Sequence, residues 1–411
     1  MKRLETLDEY LKRGLRVLLL DGYARQVLPI AEYLNRLGVT VATLNTSRLD
    51  VGYVSRWPHE RYLGPDPRHD LPGTLDKTRA ILETGAFDVV IPASDDTAAM
   101  LAENKLELSG LAAVAVNDLA VFARARDKLL TMRACDQLDL PHPRTLDAAL
   151  PELSDQVRAL GFDAPVVIKP RKGSGATGFK RVDRLAELPD LVQDSTDKFG
   201  PMLVQEYIPQ TDLQYKTEIM LDRQSEVCSC VTFNKLRWFP PNGGASVLSQ
   251  TVQRPDIDDT CIQLLRGIGW RGYGDIDLIH DPRDGIAKVI EINPRITGCV
   301  KICFDAGVDF ARQVVEDALD LPVTIYPEYE IGRYLRYMHT DVLWFLLSPD
   351  RWRARPSWFD FRRTTDQIFS LRDPLPGLTY SLQAFGKLLG WKKKRKIGTS
   401  LQIDSEARVA N

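Results

Sequence analysis

The chain has little cysteine and histidine for its length, which limits the metal and redox chemistry it can support. Six cysteines and five histidines are spread over 411 residues. The cysteines form no Cys-x-x-Cys pair, and the histidines do not fall at the spacings that zinc ligands use. We therefore expect neither a structural zinc site nor a disulfide framework, and we expect reduced thiols in a cytoplasmic protein.

The sequence also lacks a long apolar run and an excess of charge of one sign. The run Val342–Leu347 is far shorter than the roughly 18 residues that cross a bilayer, and the first residues show no apolar stretch of signal-peptide length. A net charge of -2 gives no global attraction to nucleic acid. With 44% hydrophobic and 27% charged residues, we expect a folded chain of several lobes.

A β-α-β pattern opens the chain. Leu15–Leu20 is predicted as a buried strand, Arg25–Leu37 as an amphipathic helix and Val39–Leu44 as a second strand. Asp95 and Asp96 follow a third strand of the same kind. Ligands of open α/β sheets bind at the carboxyl ends of the strands. These two carboxylates are therefore predicted either to contact a substrate or to cap the next helix.

A glycine-rich segment follows the predicted strand Ala164–Pro170. Gly173–Gly178 contains three glycines, and the missing Cβ atoms let backbone N–H groups approach phosphate oxygens. No Gly-Lys-Ser/Thr ending completes a Walker loop. The strand-like Phe179–Val182 that follows does not match the dinucleotide fingerprint either, since that motif leads into a helix. The segment is a candidate phosphate-binding loop, with a plain hairpin turn as the alternative.

Acidic and amide residues fall at strand spacing late in the chain. Asp277 lies on one strand of a predicted hairpin, and Glu291 and Asn293 lie on its partner. Two carboxylates and an amide oxygen can then converge, and such hard oxygen ligands suit Mg²⁺ that also binds nucleotide phosphates. Arg295 keeps the same strand-face parity and can approach the charge on a transferred phosphoryl group. The alternative is a solvated hairpin with polar faces.

Together with Lys128, these motifs resemble the ATP-grasp superfamily over roughly Val17–Leu319. The N-terminal half is similar to the domain that precedes the ATP-binding lobes in carboxylate-amine ligases and in the carbamoyl-phosphate synthetase and biotin carboxylase group. The resemblance implies an α/β and α+β fold, with an N-terminal open parallel α/β domain, a two-lobed ATP-grasp domain and a helical C-terminal extension. The expected parts are residues 1–120, residues 121–200 with the glycine loop, residues 201–325 with the metal site, and residues 326–411, which are basic and rich in tryptophan.

The resemblance also implies where the nucleotide binds. Two lysines and the glycine loop are expected at the phosphates, a hinge between the lobes at the adenine, and Asp212 or Gln214 at the ribose. The implied nucleotide-binding residues are Lys128, Lys169, Gly173, Ser174, Gly175, Thr177, Gly178, Gln205, Glu206, Tyr207, Ile208 and Asp212.

Catalytic and metal-binding roles follow from the same resemblance. Arg295 corresponds to the catalytic arginine, and Lys235 or Arg237 falls where the family often places a cation for the γ-phosphate. The implied metal ligands are Asp277, Glu291 and Asn293.

The activity that the resemblance implies is the ATP-driven joining of a carboxylate to an amine through an acylphosphate. The expected cofactors are ATP and two Mg²⁺ ions, or Mn²⁺ in their place. The expected partners are small-molecule substrates and a second copy of the chain in a homodimer, with no nucleic acid. The alternatives are an ATP-dependent carboxylase, a thioester-forming ligase or kinase-like phosphoryl transferase, and a non-catalytic ATP-binding regulatory protein.

The C-terminal part of the chain differs in composition. Residues 331–411 hold 15 of the 54 basic residues but only 7 of the 56 acidic residues, and four of the seven tryptophans. Trp391 precedes five consecutive cations at residues 392–396. The pattern predicts peripheral contact with an anionic membrane surface or a polyanionic substrate. A packed helical appendage with a solvated basic tail is the alternative.

Overall fold

The computed structural model describes residues 5–173, 177–209, 213–239 and 245–383 of the 411-residue chain. Their strands form three sheets, of five, four and seven strands. The strands are β1 (Arg16–Leu19), β2 (Thr40–Asn45), β3 (Glu60–Leu63), β4 (Val89–Ile91), β5 (Ala113–Val114), β6 (Thr145–Asp147), β7 (Val166–Pro170), β8 (Lys180–Val182), β9 (Met202–Glu206), β10 (Gln214–Leu221), β11 (Val227–Phe239), β12 (Ala245–Thr251), β13 (Gly272–Asp281), β14 (Ile286–Asn293), β15 (Tyr334–Arg336) and β16 (Thr364–Asp366).

The helices connect and cover these sheets. They are α1 (Leu7–Arg13), α2 (Val27–Arg36), α3 (Val51–Val54), α4 (Leu71–Leu82), α5 (Asp95–Glu103), α6 (Lys105–Leu108), α7 (Leu119–Arg126), α8 (Lys128–Gln137), α9 (Leu153–Ala159), α10 (Leu188–Phe199), α11 (Pro255–Gly267), α12 (Lys301–Asp305), α13 (Phe310–Ala318) and α14 (Met338–Leu347), with a short 3-10 helix at Leu185–Glu187. A further helical segment covers residues 375–383.

The N-terminal sheet is fully parallel, in the order β3-β2-β1-β4-β5. Its central strands are mainly apolar, as expected where helices cover both faces of a sheet, and Val17, Leu18 and Leu19 are all buried. The loops after β1 and β4 both leave from the carboxyl edge. Asp21 joins them, since its carboxylate accepts hydrogen bonds from the Ala93 backbone N–H at 2.9 Å and from the Thr97 hydroxyl at 2.5 Å. This confirms the predicted open parallel domain.

The two remaining sheets form the nucleotide-binding part predicted for the chain. The four-stranded sheet has the order β6-β9-β7-β8 and is antiparallel throughout. The seven-stranded sheet has the order β14-β13-β10-β11-β12-β15-β16. It brings β10, β11, β13 and β14 side by side, so that polar residues on one face of these strands become neighbours.

The apolar spacing over residues 119–137 predicts a single helix, whereas the structure divides this segment into α7 and α8. Asp127 separates them with extended backbone angles, φ -88° and ψ 107°. Its side chain accepts a hydrogen bond from the Leu129 backbone N–H and so caps α8. The prediction missed the break because the apolar spacing continues through it. The break places Lys128 at the start of a new helix.

The C-terminal extension contributes strands as well as helices, so the expectation of a helical extension was incomplete. β15 pairs with β12 and β16 pairs with β15, which extends the seven-stranded sheet. The extension also contacts the N-terminal domain, where the Ser55 hydroxyl donates to Asp373 at 2.5 Å. Within the described ranges, no helix is long and apolar enough to cross a membrane.

Candidate active site

The three predicted metal ligands meet on the hairpin of β13 and β14. Asp277 on β13 lies directly opposite Glu291 on β14, and Asp275 lies opposite Asn293. The register shifts just after the Asp277 pair, as it does at a β-bulge. The Asn293 Nδ2 atom donates to Asp275 at 2.8 Å and to Asp277 at 2.9 Å. The side chains predicted from strand parity thus lie together, and Asp275 joins them.

Two lysines from neighbouring strands neutralise these carboxylates. Lys216 on β10 donates to Asp275 at 2.5 Å and to Asp277 at 2.9 Å, and Lys235 on β11 donates to Asp277 at 2.7 Å. Burial raises the pKa of Asp277, but Lys216 and Lys235 more than offset that effect and hold the pKa well below its usual range. Sequence reasoning missed Lys216 and Asp275. The available signal for Asp275 was its position two residues before Asp277, which places both side chains on the same face of the strand.

The oxygen atoms at this point have the chemistry that Mg²⁺ prefers. Asp277 and Glu291 supply carboxylates and Asn293 supplies an amide, from two adjacent strands. Because the Asn293 amide N–H groups face the carboxylates, its Oδ1 atom is the one available to a cation. In the described part of the chain, no group of three or more His, Cys, Asp and Glu side chains is placed to hold a metal. The assignment of Asp277, Glu291 and Asn293 as metal ligands stays a prediction.

The two predicted phosphate-binding lysines lie beside Glu291. The Lys128 Nζ atom donates to the Gly173 backbone oxygen at 2.7 Å and lies 3.2 Å from the Glu291 Oε2 atom. The Lys169 Nζ atom on β7 lies 3.4 Å from the Ile290 backbone oxygen. Burial lowers the pKa of Lys169 to about 8, while Glu291 opposes the shift and Lys128 adds to it. Lys128 thus links the glycine loop directly to the metal-ligand hairpin.

The glycine loop is described at both of its ends. Gly173 and Gly178 have φ angles of 128° and 74°, in the left-handed region. A Cβ atom on Gly178 would also lie 2.7 Å from the Pro170 Cγ atom, so this position requires glycine for two reasons. Thr177 is exposed. Two further predicted loop residues lie outside the described residues, namely Ser174 and Gly175.

The side chains of the first two hinge residues, Gln205 and Glu206, are held by a hydrogen bond and by ion pairs. The Gln205 Nε2 atom donates to the Thr145 hydroxyl at 2.8 Å. The buried Glu206 carboxylate pairs with Arg144 at 2.9 Å and with Arg283 at 2.5 Å. Burial raises the pKa of Glu206, but the two guanidinium groups bring it down to about 2. Both side chains therefore have structural partners, and the predicted contact of Gln205 and Glu206 with a nucleotide stays a prediction.

The end of the hinge is apolar and aromatic. Ile208 is buried, and the Arg181 guanidinium lies 4.4 Å from the centroid of the Tyr207 ring. An apolar side chain at this point suits packing against a planar base. Asp212 lies outside the described residues, and Gln214 begins β10 opposite Lys235. The choice between these two for the ribose stays a prediction.

Arg295 connects the hairpin to the N-terminal domain. Its guanidinium binds both carboxylate oxygens of Asp95, with Nε to Oδ1 at 2.9 Å and Nη2 to Oδ2 at 3.0 Å. Ser94 caps α5, since its hydroxyl accepts the Thr97 backbone N–H. Asp95 therefore contacts the site residue Arg295, and the capping role considered for Asp95 and Asp96 belongs to Ser94.

Arg237 is not at the site, which corrects one of the two alternatives for the γ-phosphate cation. Its guanidinium donates to both Asp341 oxygens, at 3.1 and 3.0 Å, and stacks on Trp344 with its carbon 5.0 Å from the ring centroid. The pairing of β11 with β12 shifts register between Lys235 and Arg237. This irregularity separates two residues that strict alternation would place on one face. Lys235 is the alternative that reaches Asp277.

A cleft of about 370 Å³ opens beside Glu291, Asn293 and Arg295. One wall is the loop after β1, a second is the end of the β13–β14 hairpin with the segment that follows it, and the C-terminal extension supplies one side chain. The lining residues are Tyr23, Ala24, Arg25, Gln26, Lys216, Glu291, Asn293, Arg295, Thr297, Gly298, Cys299 and Tyr380. The cleft lies at the carboxyl edge of the N-terminal sheet, where open α/β domains bind ligands.

The sequence is similar to known ligases over part of its length. Residues 125–299 match the family model described as an ATP-grasp domain. A D-aspartate ligase from Enterococcus faecium is 25% identical over 249 residues, which cover 56% of this chain and 58% of that protein. The match thus spans less than two thirds of that relative. The match to the ATP-grasp family model is confined to residues 125–299, which is less than half of this chain.

Solved structures show the same fold. A biotin carboxylase from Campylobacter jejuni superposes with a TM-score of 0.66 at 14% identity, over 77% of this chain and 74% of that one. An L-amino acid ligase from Bacillus licheniformis gives a TM-score of 0.61 at 19% identity, over 78% of each chain. Both matches extend well beyond residues 125–299, so the likeness in fold includes regions outside the matched family domain.

Proposed function

We propose that this member of the ATP-grasp superfamily is an ATP-dependent ligase that activates a carboxylate as an acylphosphate and joins it to an amine, with release of ADP and phosphate. The observation that carries the proposal is the convergence of Glu291, Asn293 and Arg295 on one cleft, with Lys128 3.2 Å from Glu291. The partial similarity to proteins named D-aspartate ligase and L-amino acid ligase supports the same reaction class.

The reaction needs charge neutralisation and positioning rather than a protein nucleophile. A substrate carboxylate oxygen bonds to the γ-phosphorus as the bond from that phosphorus to the ADP oxygen breaks. The amine nitrogen then bonds to the acyl carbon as phosphate leaves, and the amine loses a proton to solvent. Lys128 and Lys169 would bind the phosphates, and Arg295 would stabilise the negative charge of the transferred phosphoryl group and of the tetrahedral oxyanion.

The proposed cofactors are ATP and Mg²⁺. Asp277, Glu291 and Asn293 would hold the metal, since Asp277 lies opposite Glu291 on two paired strands and the Asn293 Oδ1 atom is not used in its hydrogen bonds to the aspartates. Bound Mg²⁺ supplies positive charge to the triphosphate. Lys216 and Lys235 would keep Asp277 ionised and oriented, because both donate to it.

Trapping with hydroxylamine tests the proposed reaction. The protein is incubated with ATP, Mg²⁺ and pooled carboxylic and amino acids, and phosphate release and product mass are recorded. A hydroxamate should accumulate as ATP is consumed when the correct acid is present without an amine. Label from the γ-phosphate that appears on the amine substrate or on the enzyme would contradict the acylphosphate. ATP consumption that depends on bicarbonate would indicate a carboxylase instead, and the absence of ADP formation would indicate a regulatory protein.

A second proposal concerns peripheral attachment to an anionic membrane surface. The C-terminal extension presents large apolar side chains to solvent: Leu346 is 63% exposed, Leu347 65% and Trp352 71%. The basic residues 392–396 and Trp391 follow in the sequence and lie outside the described residues. Apolar anchors combined with cations are typical of proteins that bind lipid surfaces reversibly, with each cation near the surface worth about 1 kcal/mol.

Co-sedimentation with anionic vesicles tests this attachment. The full chain should bind at low ionic strength and weaken in salt, because charge attraction is screened. A chain that ends at Leu389 should lose the salt-sensitive part, and Trp352→Ser should lose part of the remainder. The full chain staying in the supernatant at low salt would leave only a structural role for the extension.

Three further expectations from the sequence, which concern domain boundaries, location and oligomeric state, are also proposals. The division of the chain at residues 120, 200 and 325 awaits a test such as limited proteolysis. The five-stranded sheet ends before residue 120, but β9 joins the four-stranded sheet from beyond residue 200, and β15 and β16 join the seven-stranded sheet from beyond residue 325. A cytoplasmic location is supported by the six free cysteines. A homodimer is to be tested by light scattering.

A further inference from the structure

Arg25 is the cleft residue whose charge the described residues leave uncompensated. Three cations line the cleft: Arg25, Lys216 and Arg295. Lys216 pairs with two aspartates, and Arg295 binds Asp95 through both of its oxygens. By contrast, no carboxylate in the described part of the chain lies within 4.0 Å of an Arg25 nitrogen. A guanidinium that lines a cleft and forms no ion pair there is suited to bind an anion from outside.

The surroundings of Arg25 fix its position. Its guanidinium stacks on the Tyr337 ring, 4.6 Å from the centroid, and the Tyr337 hydroxyl lies 2.5 Å from that of Tyr380. Gly298 provides the space on another side, because a Cβ atom there would lie 2.5 Å from the Arg25 Nε atom. A guanidinium stacked on an aromatic ring keeps the N–H groups at its rim for acceptors in its plane. Two tyrosines of the C-terminal extension thus hold an arginine of the N-terminal domain in place.

We infer that Arg25 binds a substrate carboxylate other than the one that is activated, so that one of the two substrates carries this additional carboxylate. The inference rests on the proposed ligase function. The lysines proposed to bind phosphate lie elsewhere, Lys128 at the start of α8 and Lys169 on β7, whereas Arg25 lies in the loop after β1. Arginine forms paired hydrogen bonds with a carboxylate, which gives both affinity and orientation.

Equilibrium binding tests the inference without turnover. Calorimetry with ADP and Mg²⁺ present compares aspartate and glutamate, in both configurations, with their monoamides, and compares alanine with alaninamide. The wild-type protein should bind at least one carboxylate about 10-fold or more tightly than its amide. Arg25→Gln should remove that preference, and Arg25→Lys should retain part of it. Arg48→Gln, which removes an exposed arginine of the same domain, should bind as the wild type does.

Steady-state kinetics then identify the source of the carboxylate. If the acid substrate carries it, Arg25→Gln should raise the KM for the acid about 10- to 100-fold in the hydroxamate assay, with the KM for ATP within twofold of the wild type. If the amine substrate carries it, the KM for the amine should rise instead. Gly298→Ala should raise the same KM as Arg25→Gln does, because the added Cβ atom displaces the Arg25 side chain.

Two results would overturn the inference. One is a wild-type protein that binds none of these carboxylates more tightly than its amide, and the other is an Arg25→Gln variant that keeps the wild-type preference or loses only affinity for ATP. Failure of the proposed function is a separate result. An Arg25-dependent carboxylate preference without hydroxamate or ADP formation would sink the ligase proposal and keep the binding site.

Discussion

Asp277 on β13 and Asp341 on α14 are buried carboxylates that each lie between two cations, yet their surroundings differ. Asp277 accepts from Lys216 and Lys235, whose side chains are 8% and 15% exposed, and it faces Glu291, which is 27% exposed. Asp341 pairs with Arg237 and Arg336, and this carboxylate has no exposure at all. The first cluster borders a cleft, whereas the second is sealed under aromatic rings.

The comparison shows what distinguishes a chemical cluster from a structural one. The guanidinium of Arg336 lies over the rings of Trp358 and Phe361, at 5.4 and 4.4 Å, and Trp344 covers Arg237. A ligand cannot reach these charges, so they serve to join the extension to the sheet. The cluster around Asp277 has the same kind of pairing, but its members Lys216, Glu291 and Asn293 line the cleft, where the proposed phosphate and metal would have access to them.

The largest expected effect is on turnover, in the cluster that borders the cleft. Asp277→Asn and Glu291→Gln each remove a negative charge that would hold Mg²⁺ against the triphosphate. ADP formation with the correct substrates should fall by roughly 10³-fold or more, and the melting temperature should change little in Glu291→Gln, whose side chain is 27% exposed. Asp284→Asn, an exposed position on the turn of the same hairpin, is the matched control. Normal ADP formation in either site variant would rule out the metal assignment.

The sealed cluster should show the opposite response. Asp341→Asn leaves two buried guanidinium groups without their anion, so the free energy of unfolding should fall by about 3–5 kcal/mol. The kcat of the molecules that remain folded should stay within a few-fold of the wild type. Urea unfolding of this variant beside Asp350→Asn, an exposed aspartate of the same extension, measures the effect. A loss of turnover at unchanged stability would place Asp341 in the chemistry and contradict the comparison.

Lys235 and Arg237 allow a closer comparison, because they lie two positions apart on β11 and yet belong to different clusters. Lys235→Met should lower kcat/KM for ATP by about 10- to 100-fold, because Lys235 donates to Asp277 beside the expected phosphates. Arg237→Met should leave that ratio within a few-fold and should lower the unfolding midpoint, because it leaves Asp341 buried with one partner fewer. Kinetics and urea unfolding of the two variants are measured in parallel. A kinetic defect in Arg237→Met together with a loss of stability in Lys235→Met would contradict this assignment.

The part of the site that was predictable from the sequence is the part that local geometry fixes. Asp277, Glu291 and Asn293 lie on a two-strand hairpin, where side-chain alternation determines which residues share a face. Arg237 was mistaken for a site residue because the register shift beside it depends on pairing with β12, which no local pattern reveals. Lys216 was missed for a related reason, since its neighbours come from strands about 60 residues away.

The hinge gives the smallest expected effect and a test of a third kind of ion pair, one that is partly open to solvent. Glu206 is buried, while its partners Arg144 and Arg283 are 41% and 44% exposed. Its pKa of about 2 lies below the ordinary value of 4.5, so its contribution to stability is complete above pH 4.5 and is lost as the pH falls toward 2.

Glu206→Gln should lower the free energy of unfolding at pH 7 by about 1–2 kcal/mol, since solvent screens both arginines. The difference from the wild type should shrink between pH 4.5 and pH 2, as urea unfolding at several pH values would show. Glu328→Gln, an exposed position, should show no such trend. A deficit of constant size across this pH range would mean that the carboxylate charge of Glu206 is not what stabilises the hinge.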